Sequence, residues 1–393
     1  CFAARVELSW DVGYVYGARD GFTYRRAIGV NGKLPFPPVH VMQGDTLVIN
    51  VHNSLDVYTS IHVHGLLNNG TNYYDGPDMV TQCGIPPGES FTYVLETNNQ
   101  FGTFWIHGHT RHQEADGFYT PLIIHSRKQP VIVYDEELLM TFEDWYTGEF
   151  YVRQAYIDSL NDARTLTPYY SKALINGYDG NKTAPITFVP GKRYRLRIIC
   201  MSINNWFKFR IPGHRMTVIE ADGVESMPLE VDGLSMGPGQ RYSVIVTAHD
   251  LADFNYIYNV TSYSRFITDQ QGLQPIVYTG LIKYKDGAPT KNIPVVSDNQ
   301  LVWPEEAQLQ AYDKQPRLPV DRQIELTSVL VPTLYTALSM GELAKNSSVY
   351  GPQTNAYVLK HLEVVEIVIN NPAIEDHTFH FHGHNVQVIE TGP

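Results

Sequence analysis

Gly44-Asp-Thr-Leu-Val-Ile-Asn-Val-His-Asn53, followed shortly by Ile61-His-Val-His-Gly-Leu66, is the stretch on which the fold turns. The first run is apolar and β-branched, bounded by Gly and Asn, and reads as a strand. The second carries two histidines two residues apart, and on a strand residues i and i+2 face the same side. The same order returns near the other end of the chain. Glu363-Val-Val-Glu-Ile-Val-Ile-Asn-Asn371 precedes His380-Phe-His382-Gly383. A strand followed by His-x-His-Gly at both ends reads as duplicated domains with one equivalent site each.

Outward from these segments the pattern stays β. Val39-His-Val-Met, Ser90-Phe-Thr-Tyr-Val-Leu, Tyr194-Arg-Leu-Arg-Ile-Ile, Tyr242-Ser-Val-Ile-Val-Thr and Tyr357-Val-Leu read as strands. Asn31-Gly, Asn69-Gly and Pro86-Pro-Gly read as turns between strands. A chain of 393 residues is too long for one β-sandwich. The expected division is a first domain at 1–126, a second at 127–285, a Pro- and Lys-containing connection at 286–321, and a third block at 322–393.

Composition narrows the partners. Hydrophobic residues make up 43% and charged residues 18%, which suits a packed core and argues against disorder. The net charge of −12 repels nucleic acid and anionic membrane surfaces. No run of 18 apolar residues exists, so no spanning segment is expected in this chain. No cleavable leader is legible at Cys1, which fits a chain that begins after processing. The three cysteines, Cys1, Cys83 and Cys200, form no disulfide-dense scaffold and no C-x-x-C motif. Four glycosylation sequons stand at Asn69, Asn181, Asn259 and Asn346. Together with the Tyr-rich β composition they point to a secreted or cell-surface protein.

The histidines carry the chemistry. There are 15, and random scatter would give roughly half of one His-x-His pair. The sequence has four: His62/His64, His107/His109, His380/His382 and His382/His384. Each pair would present two imidazoles side by side, and imidazole suits copper, zinc, iron and nickel. Pairs from both ends of the chain are expected to converge on one multinuclear centre between domains. Strand parity puts His377 on the opposite face, where it would serve a second centre. Parity leaves His384 on the ligand face, but a further ligand from one strand would overreach, so an outer position is expected.

Ile61-His-Val-His-Gly-Leu, Gly102-Thr-Phe-Trp-Ile-His-Gly-His-Thr and His377-Thr-Phe-His-Phe-His-Gly-His resemble three of the four copper motifs of multicopper oxidases. The resemblance spans essentially the whole chain. It implies an all-β fold of three cupredoxin-like Greek-key β-sandwich domains, the third incomplete. It also implies copper in type 1, type 2 and binuclear type 3 sites, four ions in the complete protein. One-electron oxidation of a donor would be coupled to four-electron reduction of dioxygen to water. By motif, His62 and His380 fall on type 2 ligands, and His64, His107, His109 and His382 on type 3 ligands. His377 falls on a type 1 ligand. Asp75, in Tyr74-Asp-Gly-Pro, falls near a family acid that relays protons; a turn Asp before Gly is the plainer reading. Cys83 and Cys200 resemble positions joined by a disulfide in many laccases, with two buried thiols as the alternative.

The fourth motif, which would supply the type 1 Cys and further histidines, does not occur before Pro393. The expected catalyst is therefore a longer parent chain, and a non-enzymatic copper-binding chain is the third reading. For the donor, the region from Val331 to Gly351 is similar to fungal ferroxidases. That likeness puts Tyr350 and Asp144 on iron-site positions, although laccases also carry Asp where Asp144 stands. Laccases often place an acid just after the second cysteine, where this chain has Met201. Ferrous iron is thus the favoured donor, with phenols or pigment precursors the alternative.

Overall fold

A computed structural model describes residues 3–150, 170–264, 275–294, 296–326, 341–350, 356–370 and 377–391. Among them there are strands and short 3₁₀ turns but no α-helix, and no helix long and apolar enough to cross a membrane.

Eight strands build the first sandwich: β1 (Arg5–Gly17), β2 (Arg25–Val30), β3 (Val39–Met42), β4 (Thr46–Asn53), β5 (Ile61–His64), β6 (Ser90–Glu96), β7 (Gly102–Gly108) and β8 (Tyr119–His125). They form two four-stranded sheets, β2-β1-β4-β6 and β3-β8-β7-β5. The β1–β4 pair is parallel, with Trp10 opposite Val51. Leu47, Ile49 and Val51 of β4 meet Ile61 and Val63 of β5 and Phe104 and Ile106 of β7 in one buried core. Burying each such side chain stabilises the fold by about 1.5–3 kcal/mol.

That alternation fixes where the histidines go. Ile61, Val63, Phe104 and Ile106 fill the core of their own sandwich. Period-2 geometry then sends His62, His64, Trp105 and His107 to the other face of the sheet. That face is also buried, because further parts of the chain cover it.

The cover is a second sandwich. Its strands are β9 (Glu136–Tyr146), β10 (Tyr170–Ile175), β11 (Tyr178–Asp179), β12 (Ile186–Thr187), β13 (Arg193–Cys200), β14 (Asn205–Arg210), β15 (Met216–Ala221), β16 (Val224–Val231), β17 (Leu234–Met236), β18 (Arg241–Thr247), β19 (Tyr256–Ser264) and β20 (Ile276–Lys283). They make a seven-stranded sheet, β11-β10-β9-β13-β18-β15-β16, against a five-stranded one, β12-β20-β19-β14-β17. Leu196 and Ile198 of β13 point into the core between them.

The opposite face of β13 carries Arg195 and Arg197, which are buried rather than solvated. Both pair with buried Glu220 of β15; the Arg197 contact is 3.1 Å. Glu220 also accepts the Thr103 backbone N–H of β7 at 2.6 Å and the Ser243 hydroxyl at 2.9 Å. One carboxylate thus ties the second sandwich to a strand of the first that carries a paired histidine. A second tie is the small apolar group of Trp105, Tyr119, Ile199 and Met201.

Residues 286–294 and 296–321 run irregularly, and part of this stretch bonds to the second sandwich. Met227 N–H donates to Gln310 O at 2.7 Å, and Ser226 bridges to Ala311. In the third block, β21 (Arg322–Leu326) and β22 (Val365–Ile369) form a parallel pair with Ile324 opposite Ile367. The strand expected at Tyr357-Val-Leu is not one. These side chains are exposed and no described strand pairs with them.

Candidate metal centre

β5 and β7 run antiparallel with His62 directly opposite His107 and His64 opposite Trp105. His109 follows the end of β7, where its N–H donates to Ser60 O at 3.0 Å. His380 and His382 arrive from the third block. The His64 and His380 rings stack at 3.6 Å, and the His62 and His382 rings lie 4.0 Å apart. His109 sits 5.0 Å from His382 and 5.4 Å from His62. The structure therefore brings the six paired histidines His62, His64, His107, His109, His380 and His382 into one group, from residues more than 300 positions apart.

Two triads within it offer ring nitrogens within 4.8 Å of one another: His62, His380 and His382, and His62, His64 and His107. The Nε2 atoms of His62 and His380 are 3.3 Å apart. One ion about 2 Å from each, the usual imidazole–metal distance, could touch both. The buried Nε2 of His107 has no hydrogen-bond partner. Burial, then the neighbouring imidazoles, lower His109 to about 4 and His380 to about 3. Burial likewise holds His62 and His64 well below 6.5, and the buried Arg241 guanidinium adds to the effect at His64. His62, His64, His109 and His380 are thus held neutral, the form in which imidazole binds metal. An all-nitrogen donor set with an orphaned buried lone pair fits copper.

Asp75 is built into the group. It follows the 3₁₀ turn Asn72–Tyr74, and its backbone oxygen lies 2.7 Å from His62 Nδ1. Its carboxylate lies 2.9 Å from His382 Nδ1 and 3.3 Å from His62 Nδ1. Burial raises this carboxyl, but the His382 and His62 hydrogen bonds outweigh that and hold it well below the usual range. Gly76, at φ 104°, lets the turn approach β5, since any Cβ would collide with the Ile61 carbonyl. The second sandwich reaches the centre through Gly239, whose missing Cβ leaves room for the His64 ring, and through Arg241. The Arg241 guanidinium donates to the carbonyls of Thr103, Gly239 and Asp222 at 3.0–3.1 Å.

Other expected site residues fall elsewhere. His377 is not in the group; its ring faces Phe379 at 6.5 Å. The strand parity used for residues 377–384 does not hold. His384 N–H donates to Phe381 O at 3.2 Å across a turn, with Gly383 at φ 68°. That turn carries His384 out to solvent, with Nδ1 on the His382 carbonyl at 2.9 Å.

Asp144 is buried. Its carboxylate accepts the N–H groups of Ile203, Asn204 and Asn205 at 2.9–3.2 Å and the Tyr146 hydroxyl at 2.9 Å. Four donors on one carboxylate make it a brace for that loop. The backbone of Tyr350 closes the 3₁₀ turn Ser347–Tyr350, and its side chain lies outside what is described. Residues 331–340 and 351 of the ferroxidase-like stretch also lie outside.

The Cys83–Cys200 disulfide is not formed. Cys83 is an exposed free thiol and Cys200 a buried one, in the second core, its sulfur 3.1 Å from the Ser202 hydroxyl. Burial pushes that thiol up to about 12. Of the sequons, Asn69 and Asn346 are exposed, Asn259 is half-buried on β19, and the Asn181 side chain is not described.

Sequence reasoning missed two contributors. Glu114 Oε2 lies 2.9 Å from His107 Nδ1. Arg241 lies on β18, far from any histidine motif. Neither position carries a motif of its own: Arg241 comes from the second sandwich, and Glu114 is turned back on His107 by the 3₁₀ turn Gln113–Asp116.

Family models described as multicopper oxidase match residues 11–129, 136–285 and 327–393. The iron multicopper oxidase fer1 of Mycosarcoma maydis is 34% identical over 98% of this chain and 69% of its own length. The iron transport multicopper oxidase fetC of Epichloe festucae is 34% identical over 98% of this chain and 65% of its own. Laccase-4 of Thanatephorus cucumeris is 33% identical over 99% and 80%. The crystal structure of Fet3p, a multicopper oxidase that functions in iron import, superposes with a TM-score of 0.83. It does so at 30% identity, over 97% of this chain and 75% of that one. The chain thus spans about two thirds of the length of the iron oxidases it matches.

Proposed function

The chain belongs to the multicopper oxidase family, and on that premise we propose that the whole protein oxidises ferrous iron and passes the electrons to dioxygen, forming water. The fold is the cupredoxin-like arrangement of that family with a shorter third domain, and the family's cofactor is copper. The observation that carries the proposal is the convergence of six imidazoles from three separate segments on one point, with His62, His64 and His107 buried beneath the more open His109, His380 and His382.

His62 and His380, with Nε2 atoms 3.3 Å apart, would hold one ion of type 2 character. His64, His107, His109 and His382 would hold the adjoining type 3 pair. His377 is assigned to a separate type 1 centre. Bound copper supplies one-electron transfer and a binding site for dioxygen. The chain's own residues do the rest. Asp75 fixes the Nδ1 edges of His62 and His382, so both present Nε2 to metal. It is also the buried carboxylate through which protons would reach the centre. Arg241 keeps a fixed cation beside His64 and His380, which opposes their protonation.

Iron as donor is supported by relatives named for iron oxidation and iron transport. Asp144 is held by the 203–205 backbone mainly through Oδ2, and its iron-site role rests on the motif likeness alone. A phenol-oxidising reading keeps support from the laccase relative. Against it, Met201 stands buried in the apolar group with Trp105 and Tyr119 and cannot accept a phenolic proton. The exposed Asn69 and Asn346 sequons favour a secreted or cell-surface protein.

The test is steady-state turnover of the full-length protein on ferrous ion and on a diphenol, with oxygen uptake as readout. The proposal expects kcat/KM for ferrous ion to exceed that for the diphenol by roughly ten-fold or more, about 1.4 kcal/mol in transition-state binding. A reversed ratio would establish the laccase reading. Copper binding without oxygen uptake on either donor would establish a non-enzymatic chain.

A further inference from the structure

We infer that Glu114 is a positioning residue for His107: its carboxylate selects the ring nitrogen that His107 presents to metal. The inference rests on the copper reading above. His107 Nδ1 lies 2.9 Å from Glu114 Oε2, while its Nε2 is buried with no partner. A neutral imidazole has a single N–H. With that N–H on Nδ1 and donated to the carboxylate, the lone pair stands on Nε2. In the other tautomer the proton would stand on Nε2, where the described residues offer no acceptor. The Gly108 carbonyl is a second acceptor for Nδ1 at 3.1 Å. It is neutral and farther away, and hydrogen bonds to ionised acceptors are shorter and stronger.

Glu114 is itself held in place. It sits in the 3₁₀ turn Gln113–Asp116, and the residues at both ends of that turn are anchored. Gln113 accepts the Thr59 hydroxyl at 2.7 Å and donates to Tyr58 O at 2.8 Å. Asp116 accepts from Arg25 at 2.7 Å and from the Phe150 N–H at 2.9 Å. Gly117, left-handed at φ 108°, ends the turn and returns its N–H to Gln113 and Glu114 carbonyls. The carboxylate therefore meets His107 without ordering a free loop, which makes the contact pre-organised. Asp75 does the same for His62 and His382. Two carboxylates from separate turns thus fix three of the six rings. A metal-ligating histidine that donates its other N–H to a carboxylate is a stronger and better-oriented ligand.

The experiment compares copper affinity of the full chain, by competition with a chromophoric chelator, for wild type, Glu114→Ala and Glu114→Gln. Thermal unfolding of each metal-free protein is measured beside it. Outer partners of metal ligands are typically worth 10–100-fold in affinity. Because Gly108 O remains, the expected loss in Glu114→Ala is at the low end, about ten-fold. Glu114→Gln keeps an acceptor oxygen and should recover affinity to within about three-fold of wild type. The metal-free unfolding midpoints should agree within about 2 °C. Equal affinity in wild type and Glu114→Ala overturns the inference and leaves the copper reading intact. So does a loss matched by metal-free destabilisation, or a Gln variant as weak as Ala. A wild-type chain that binds no copper overturns both.

Discussion

Replacing His62 by Ala should weaken copper binding at the cluster by more than 100-fold. His62 is the hub of the group, with its ring 4.0–5.6 Å from those of His64, His107, His109, His380 and His382. It is also the one residue common to both ligand triads. Its Nδ1 is held by Asp75 and its Nε2 faces His380, so its loss removes one of the two histidine donors of the ion they would share, a direct ligand, which should exceed the 10–100-fold typical of outer partners. The metal-free chain should still fold, at a cost of a few kcal/mol for the cavity. His40→Ala is the control, since His40 is exposed and pairs with His125 at 3.0 Å. Chelator competition checks the result; equal affinity in the two variants would place the metal elsewhere.

Glu220→Gln should be the most damaging single change to stability among the contacts described here. Glu220 is buried and faces two buried guanidinium groups, Arg195 and Arg197. Removing one partner of a buried ion pair typically costs about 3–5 kcal/mol, because the remaining charge is left uncompensated. At 2–4 °C per kcal/mol the unfolding midpoint should fall by about 10 °C. The same carboxylate holds the Thr103 N–H of β7. The variant should therefore also loosen the His107 strand and weaken metal retention. A midpoint within 2 °C of wild type would mean that the two arginines find other partners.

The all-β fold and the histidine group were legible because both rest on local alternation. Ile61-His-Val-His places its apolar and imidazole side chains on opposite faces whatever the rest of the chain does. Alternation does not say what covers the Arg195 and Arg197 face of β13: Leu196 and Ile198 point inward, and the opposite face docks on the first sandwich. At residues 377–384 the alternation failed because the left-handed Gly383 makes a turn, not a strand. Arg241 was invisible because the packing of the second sandwich on the first brings it in, and Glu114 because the 3₁₀ turn that aims it back at His107 has no motif of its own. The brace at Asp144 was likewise not legible, because the three backbone N–H groups it accepts come from the 203–205 loop, about 60 residues on.

The most direct test of the copper centre is a diffraction experiment on the copper-reconstituted chain, with anomalous maps on both sides of the copper edge. Copper peaks should lie among His62, His64, His107, His109, His380 and His382, about 2 Å from ring nitrogens, including one shared by His62 and His380. Copper bound only at other histidines, or an empty six-histidine group in a chain that retains copper, would contradict it.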